Sequence, residues 1–168
     1  MIILPAAIAL AGCASLGSTR EAVTLIAPAD GPRLLAQCSR PGPEGATDFF
    51  TLAPAEVTAI ETATMAALRG AQERLGGQVE GVRPSPFDWP GDPSLYDRQY
   101  VGYSIGERRF AYGNFLPSSG ENSAGEPVIV CDGGPAFFGA EYDLTGNRLV
   151  RIAFNGGLGG PFLDPIEP

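Results

Sequence analysis

The sequence predicts an α+β domain, with one amphipathic helix on the amino-terminal side of a curled antiparallel sheet of about five strands. Three observations carry that expectation. Val57, Ile60, Thr64, Leu68 and Ala71 recur at three- and four-residue steps, the stripe of a helix with one packing face. Arg98 to Ile105 and Arg109 to Leu116 flank a Gly106-Glu107 pair, which has the Gly-X character of a two-residue hairpin turn. Val128 to Gly156 reads as three short apolar strands separated by two glycine-bearing turns.

The elements follow in chain order. Met1 to Gly12 is uncharged and apolar, too short for the ~20 residues that a spanning helix needs, and has the character of a signal-peptide core, although no Lys or Arg follows Met1. Leu10-Ala11-Gly12-Cys13 resembles the lipobox of bacterial lipoproteins. The resemblance implies cleavage before Cys13 and acylation of that cysteine, and multiple acyl chains make a stable membrane anchor where one is marginal. Ala14 and Ser15 lack the aspartate with which that family retains proteins at the inner membrane. The resemblance therefore favours the outer membrane, facing the periplasm. Residues 13–33 are small, polar and broken by Pro28, Gly31 and Pro32, as expected for a flexible tether with a brief strand at Val23–Ile26. Leu34 to Cys38 enters the domain, and Ser39 to Gly45 is a loop.

The helix begins at Pro54, since proline suits the first helical position and Glu56 suits the positive end of the helix dipole. It ends by Gly76-Gly77. Gly76 to Asp97 holds four prolines and Trp89 and reads as a long loop. The hairpin follows, then a polar loop from Ser118 to Glu126. Val128 to Cys131 is a continuous apolar run, expected as a strand covered on both faces. Asp132-Gly133-Gly134-Pro135 breaks it. Phe138, Ala140 and Tyr142 then point one way, and Phe137, Gly139 and Glu141 the other. After a turn at Leu144 to Asn147, Val150, Ile152 and Phe154 are expected inward and Arg151 outward. The domain thus spans 34–156, with 157–168 as a tail. In outline this is similar to cystatin-like folds, an analogy of architecture that implies no function.

Composition excludes several classes of chemistry. The chain has 168 residues, a net charge of −8 and no basic run, which argues against nucleic acid as a partner. All 11 basic residues are arginine. Without His or Lys there is no Ser-His triad, imidazole metal site, Schiff base or phosphate-loop lysine. No cofactor is expected.

Six pieces together resemble a family of uncharacterised bacterial secreted or lipid-anchored proteins. They are Gln37-Cys38-Ser39-Arg40, Arg98-Gln99-Tyr100-Val101-Gly102, Arg108-Arg109, Tyr112-Gly113-Asn114-Phe115, Val130-Cys131-Asp132-Gly133-Gly134 and Phe154-Asn155-Gly156. The resemblance spans most of residues 37–156 and implies no activity. If Cys13 carries lipid, Cys38 and Cys131 remain as an even pair in an oxidising compartment, where a disulfide is expected. By the loop-entropy model such a bridge is worth ~4–5 kcal/mol. The alternative is two buried free thiols. A catalytic thiol is disfavoured because no histidine is available to activate it.

Arg98, Tyr100, Tyr103, Arg109 and Tyr112 share the hairpin and, with Asp132, form the candidate binding face, since aromatic and arginine side chains are the usual binding hot spots. Asp132-Gly133-Gly134 also has the backbone of an anion cradle, against the plainer reading of a turn. Asp88, Asp92 and Asp97 form an oxygen-rich stretch whose spacing does not match a calcium loop. Asp132, Glu141 and Asp143 could supply a carboxylate pair of the glycosidase kind, against the plainer reading of surface acids near a turn. No catalytic or metal site is expected on this pattern. The expectation is a lipid-anchored envelope protein with a non-catalytic binding or structural domain, meeting the membrane through Cys13 and an envelope protein or polymer through the hairpin. The alternatives are a small carboxylate-dependent envelope hydrolase and an enzyme-inhibitor lipoprotein whose long loop plugs a foreign active site.

Overall fold

The structure is a computed structural model that describes residues 23–76, 96–118 and 125–155, without side-chain detail for 71–76 and 135. Cys13, the Pro84–Pro93 part of the long loop with Asp88 and Asp92, and the tail 157–168 lie outside the described residues.

The α+β class holds, but among the described residues the sheet is mixed and open and has six strands. They are β1 (Val23–Leu25), β2 (Thr47–Phe50), β3 (Tyr96–Ile105), β4 (Arg108–Pro117), β5 (Phe138–Asp143) and β6 (Arg148–Phe154). The main order is β1-β3-β4-β5-β6, and β2 also pairs with β3. At ten residues, β3 is long enough to take two short strands end to end along one edge. There β1 runs parallel to it at 98–100 and β2 antiparallel at 102–104. The remaining pairs are antiparallel. Among the described residues the α-helices are α1 (Gly31–Leu35) and α2 (Pro54–Gly76). The long helix therefore follows two strands and a short helix and is not the first element.

Each expected turn has a local cause. Gly106 has φ +59° at the first of two central residues in the β3–β4 hairpin, a conformation open to glycine and costly for a side chain. In the β5–β6 turn, Asp143 Oδ1 accepts the Gly146 N–H at 2.8 Å and Asn147 takes φ +51°. At the start of α2, Glu56 Oε2 reaches back to accept the Ala53 N–H at 2.8 Å, one half of a capping box.

Both faces of the sheet are covered. On one, α2 places Val57, Ile60, Met65 and Leu68 against Tyr100, Ala111, Phe115, Phe138, Ala140 and Ile152. The Phe115 and Phe138 rings stack at 4.5 Å between centroids. Thr64 is fully buried on the same stripe, and its hydroxyl has no partner among the described residues. On the other face Ile26, Leu34 and Leu35 lie against Val101, Tyr103, Phe110 and Tyr112. This double cover explains why β5 is buried at every position instead of alternating.

Three further expectations are corrected. The tether of 13–33 overlaps the fold, because Val23–Leu25 is a strand of the sheet and Ile26 is almost wholly buried. Val128 to Cys131 is not a strand. Its backbone meets side-chain amides in place of a neighbouring ladder, and its side chains are partly or fully exposed. In β6, an irregularity in the register opposite Glu141 and Tyr142 moves Val150 to the face away from α2, while Leu149 joins Ile152 and Phe154 on the α2 side.

Candidate functional site

On the face away from α2, the sheet has a polar patch where apolar residues would be expected. Gln99 of β3, Asn114 of β4 and Asn155 just after β6 are each at most 2% exposed. Alternation along β4 brings Phe110, Tyr112 and Asn114 to this face. Gly139 of β5 leaves room between them. A Cβ there would sit 2.5 Å from the Tyr112 hydroxyl and 2.9 Å from Arg40 Nε.

Arg40 fills that space and is buried. Its Nε donates to the Tyr112 hydroxyl at 3.2 Å, one terminal nitrogen to Asn155 Oδ1 at 2.5 Å and the other to Asn114 Oδ1. Among the described residues no carboxylate forms an ion pair with it. A buried guanidinium needs good acceptors all round. The asparagines supply them and also act in the opposite sense. Because an arginine only donates, each amide oxygen must face it, and each NH2 is left for the covering chain. Asn114 Nδ2 donates to the Val128 carbonyl at 3.0 Å and to Gln99 Oε1 at 3.1 Å, and Asn155 Nδ2 donates to the Val130 carbonyl at 2.8 Å. Gln99 accepts the Val128 N–H at 2.9 Å and donates to the Glu126 carbonyl at 2.6 Å. An aspartate at 114 or 155 would pair with Arg40 but lose the bond to the Val128 or Val130 carbonyl.

Two chain segments thus cross this face. Residues 37–42 carry Arg40 and are also held by Arg151, which donates to the Gly42 carbonyl at 3.1 Å. Residues 126–132 lie on the side-chain amides. Cys38 and Cys131 join the two segments in a disulfide, as expected from the sequence. Beside it, the Asp132 N–H donates to Ser39 Oγ at 2.6 Å.

The structure does not bring the six hairpin and turn residues together as one surface. Tyr100, Tyr103 and Tyr112 are buried, Tyr100 toward α2 and the other two on the opposite face. Tyr100 donates to Glu61 at 2.8 Å, and Glu61 also pairs with Arg98 at 3.0 Å. Burial first, then the Glu61 charge, pushes the Tyr100 phenol far above its ordinary pKa. Burial and then Glu141 do the same for Tyr103, whose hydroxyl lies 3.4 Å from that carboxylate. Burial raises the Tyr112 phenol against the opposing pull of Arg40. Arg109 is half exposed, paired with Glu56 at 3.1 Å and laid over the Phe50 ring. Asp132 is exposed, with φ +64°.

The carboxylates are committed elsewhere. Glu141 accepts from Arg151 Nε at 2.8 Å. Asp143 pairs with Arg108 and, at 3.8 Å, with Arg148. Burial pushes the Asp143 carboxyl up, but the Gly146 N–H, Arg108 and the Thr145 N–H outweigh it and hold the group below the ordinary carboxylate range. A general acid for glycoside hydrolysis needs the opposite shift. Among the described residues no three His, Cys, Asp or Glu side chains gather as metal ligands, and no helix is long and apolar enough to cross a membrane. A depression of about 230 Å³ on α2 is lined by Glu61, Thr62, Met65 and Arg69, and its carboxylate is the one already paired with Arg98.

No protein-family model matches the chain, and no curated protein or solved structure matches it at a significant level. Sequence reading placed Arg40 in a loop and missed the patch around it. The available signal was Asn114, a polar residue at the inward position of an otherwise aromatic strand face.

Proposed function

We propose that the protein is a lipid-anchored cell-envelope protein whose α+β domain is a non-catalytic binding or structural module. The observation that carries this reading is the Cys38–Cys131 bridge, which belongs in an oxidising compartment. Leu10-Ala11-Gly12-Cys13 supports the same address, with Cys13 as the acylated residue and the outer membrane as the site of attachment. The pieces of sequence on which the resemblance to bacterial secreted and lipid-anchored proteins rests include Cys38, Arg40, Gln99, Tyr112, Asn114, Cys131 and Asn155, the residues of the bridge and of the patch beneath it. The non-catalytic part rests on Glu141 and Asp143, each neutralised by arginine.

Intact mass of the protein extracted from membranes, before and after reduction, tests the proposal. The expected mass begins at Cys13, includes three acyl chains and rises by two hydrogens on reduction. An unacylated chain that still carries its first twelve residues refutes the envelope assignment.

A further inference from the structure

The geometry points to a redox-released strap: reducing the Cys38–Cys131 bridge frees residues 125–134 from the sheet and uncovers the amide groups of Gln99, Asn114 and Asn155, while the helix–sheet core and residues 37–42 stay in place.

The two crossing segments are fastened differently. Residues 37–42 are pinned by the buried Arg40, with its three acceptors on the sheet, and by the Arg151 bond to the Gly42 carbonyl. Residues 126–132 have no such pin. Among the described residues no backbone ladder bond ties them to a strand. They rest on bonds from Gln37, Gln99, Asn114 and Asn155, and on Ser39. Pro127 is their only buried residue; 128–130 are partly exposed and 131–132 exposed. Neutral hydrogen bonds on a half-exposed segment offset little of the entropy of ordering it. The covalent link to the pinned segment is what makes their closure local.

That link is also open to attack, because both cysteines are exposed. Exposed bridges are the labile kind in thiol–disulfide exchange. A dithiol donor supplies the two electrons. One of its thiolates attacks a cysteine sulfur to give a mixed disulfide, the second closes the donor's own disulfide, and the two protons end on Cys38 and Cys131. What the opened strap leaves behind is chemically specific. Gln99, Asn114 and Asn155 now meet the backbone of alternate residues 126, 128 and 130, so the uncovered groups suit the main chain of an extended peptide. The core has no part in this. Leu52, Ile60, Met65, Phe115 and Phe138 pack on the far face of the sheet.

Hydrogen exchange read by mass spectrometry on the whole chain, oxidised and then reduced with a dithiol, tests the inference. After reduction, peptides covering 125–134 should exchange at least about tenfold faster and close to the rate of unstructured chain, whereas those from β4 and β5 should stay far slower than that rate, although losing the bridge's loop entropy speeds their exchange through global unfolding. The double variant C38S/C131S should give the same pattern without reductant, separating the bridge from any other effect of the dithiol. Unchanged exchange at 125–134 would mean that the amide bonds alone hold the strap. Loss of protection in β4 and β5 to the same unstructured rate would mean that the bridge is a global staple. Either result overturns the inference.

Discussion

Replacing Arg40 with alanine should destabilise the domain by ~3–5 kcal/mol, the range seen when one partner of a buried charged network is removed. The figure follows from what is left behind. The oxygens of Asn114 and Asn155 and the Tyr112 hydroxyl each lose a donor, on residues no more than 1% exposed. A buried polar group left unsatisfied costs ~1–3 kcal/mol, and water entering the vacated space recovers part of the total. Domains of this size are stable by ~5–15 kcal/mol, so the variant should still fold. The assay is equilibrium unfolding of the oxidised protein in urea, where a slope of ~1–3 kcal/mol/M makes the expected change a midpoint shift of about 2 M. Urea is required because guanidinium ion has the shape of the missing group. A low concentration of it should raise the melting temperature of Arg40→Ala and leave the parent unaffected. Arg40→Lys should fall between the two, since one ammonium cannot address three acceptors in a plane. A loss below ~1 kcal/mol would refute the reasoning, because the cost of burying the guanidinium would then cancel its bonds.

Gly139→Ala should cost ~1–3 kcal/mol by the same urea assay, because its Cβ lands on Tyr112 and Arg40; an unchanged midpoint would mean that the patch yields freely. Thr64→Val should stabilise by ~1 kcal/mol, having removed a buried hydroxyl with no partner among the described residues. Asp143 is held below the ordinary carboxylate range when folded, so its contribution is present above about pH 4 and is lost as pH falls through the folded value. Asp143→Asn should therefore flatten the acid limb of a stability–pH curve, and an unaltered limb counts against the pairing. The folded pKa values of Tyr100, Tyr103 and Tyr112 are raised, and that of Tyr96 is pushed up to about 12 by burial. Stability should be full below about pH 10 and fall above it, with phenolate absorbance appearing together with loss of circular dichroism. A smooth phenolate titration of the folded protein near pH 10 would contradict the burial of these rings.

What was legible in the sequence was what local chemistry decides. Pro54 and Glu56 marked the start of α2, Gly106 marked the hairpin, and alternation fixed the faces of Phe138, Ala140 and Tyr142. Cys38 and Cys131 were legible as a pair. What escaped was decided by partners distant in sequence. Val23–Leu25 was legible as a brief strand but not as part of the sheet, because the edge it pairs with belongs to β3, far along the chain. Val128 to Cys131 has the composition of a strand, but its hydrogen bonds go to side-chain amides. Arg40 followed by proline and glycine reads as an ordinary loop arginine, and only the folded chain carries it to Asn114 and Asn155. The hairpin tyrosines show the converse. Their type suggested a surface, whereas the double cover of the sheet makes them core.

The bridge also decides how the chain responds to being pulled. It closes a ring over a sequence separation of 93 residues, and that ring contains β2, α2, β3 and β4. From residue 23 to residue 155 the taut covalent path runs along the first arm to Cys38, across the sulfurs and out from Cys131 through β5 and β6. Tension applied at the two ends can peel β1, β5 and β6 but cannot stretch the ring. Cutting the sulfur–sulfur bond would add on the order of 300 Å of extensible chain, at ~3.3–3.6 Å per residue. The same ring means that a nick between α2 and β3 leaves two polypeptides still joined as one molecule.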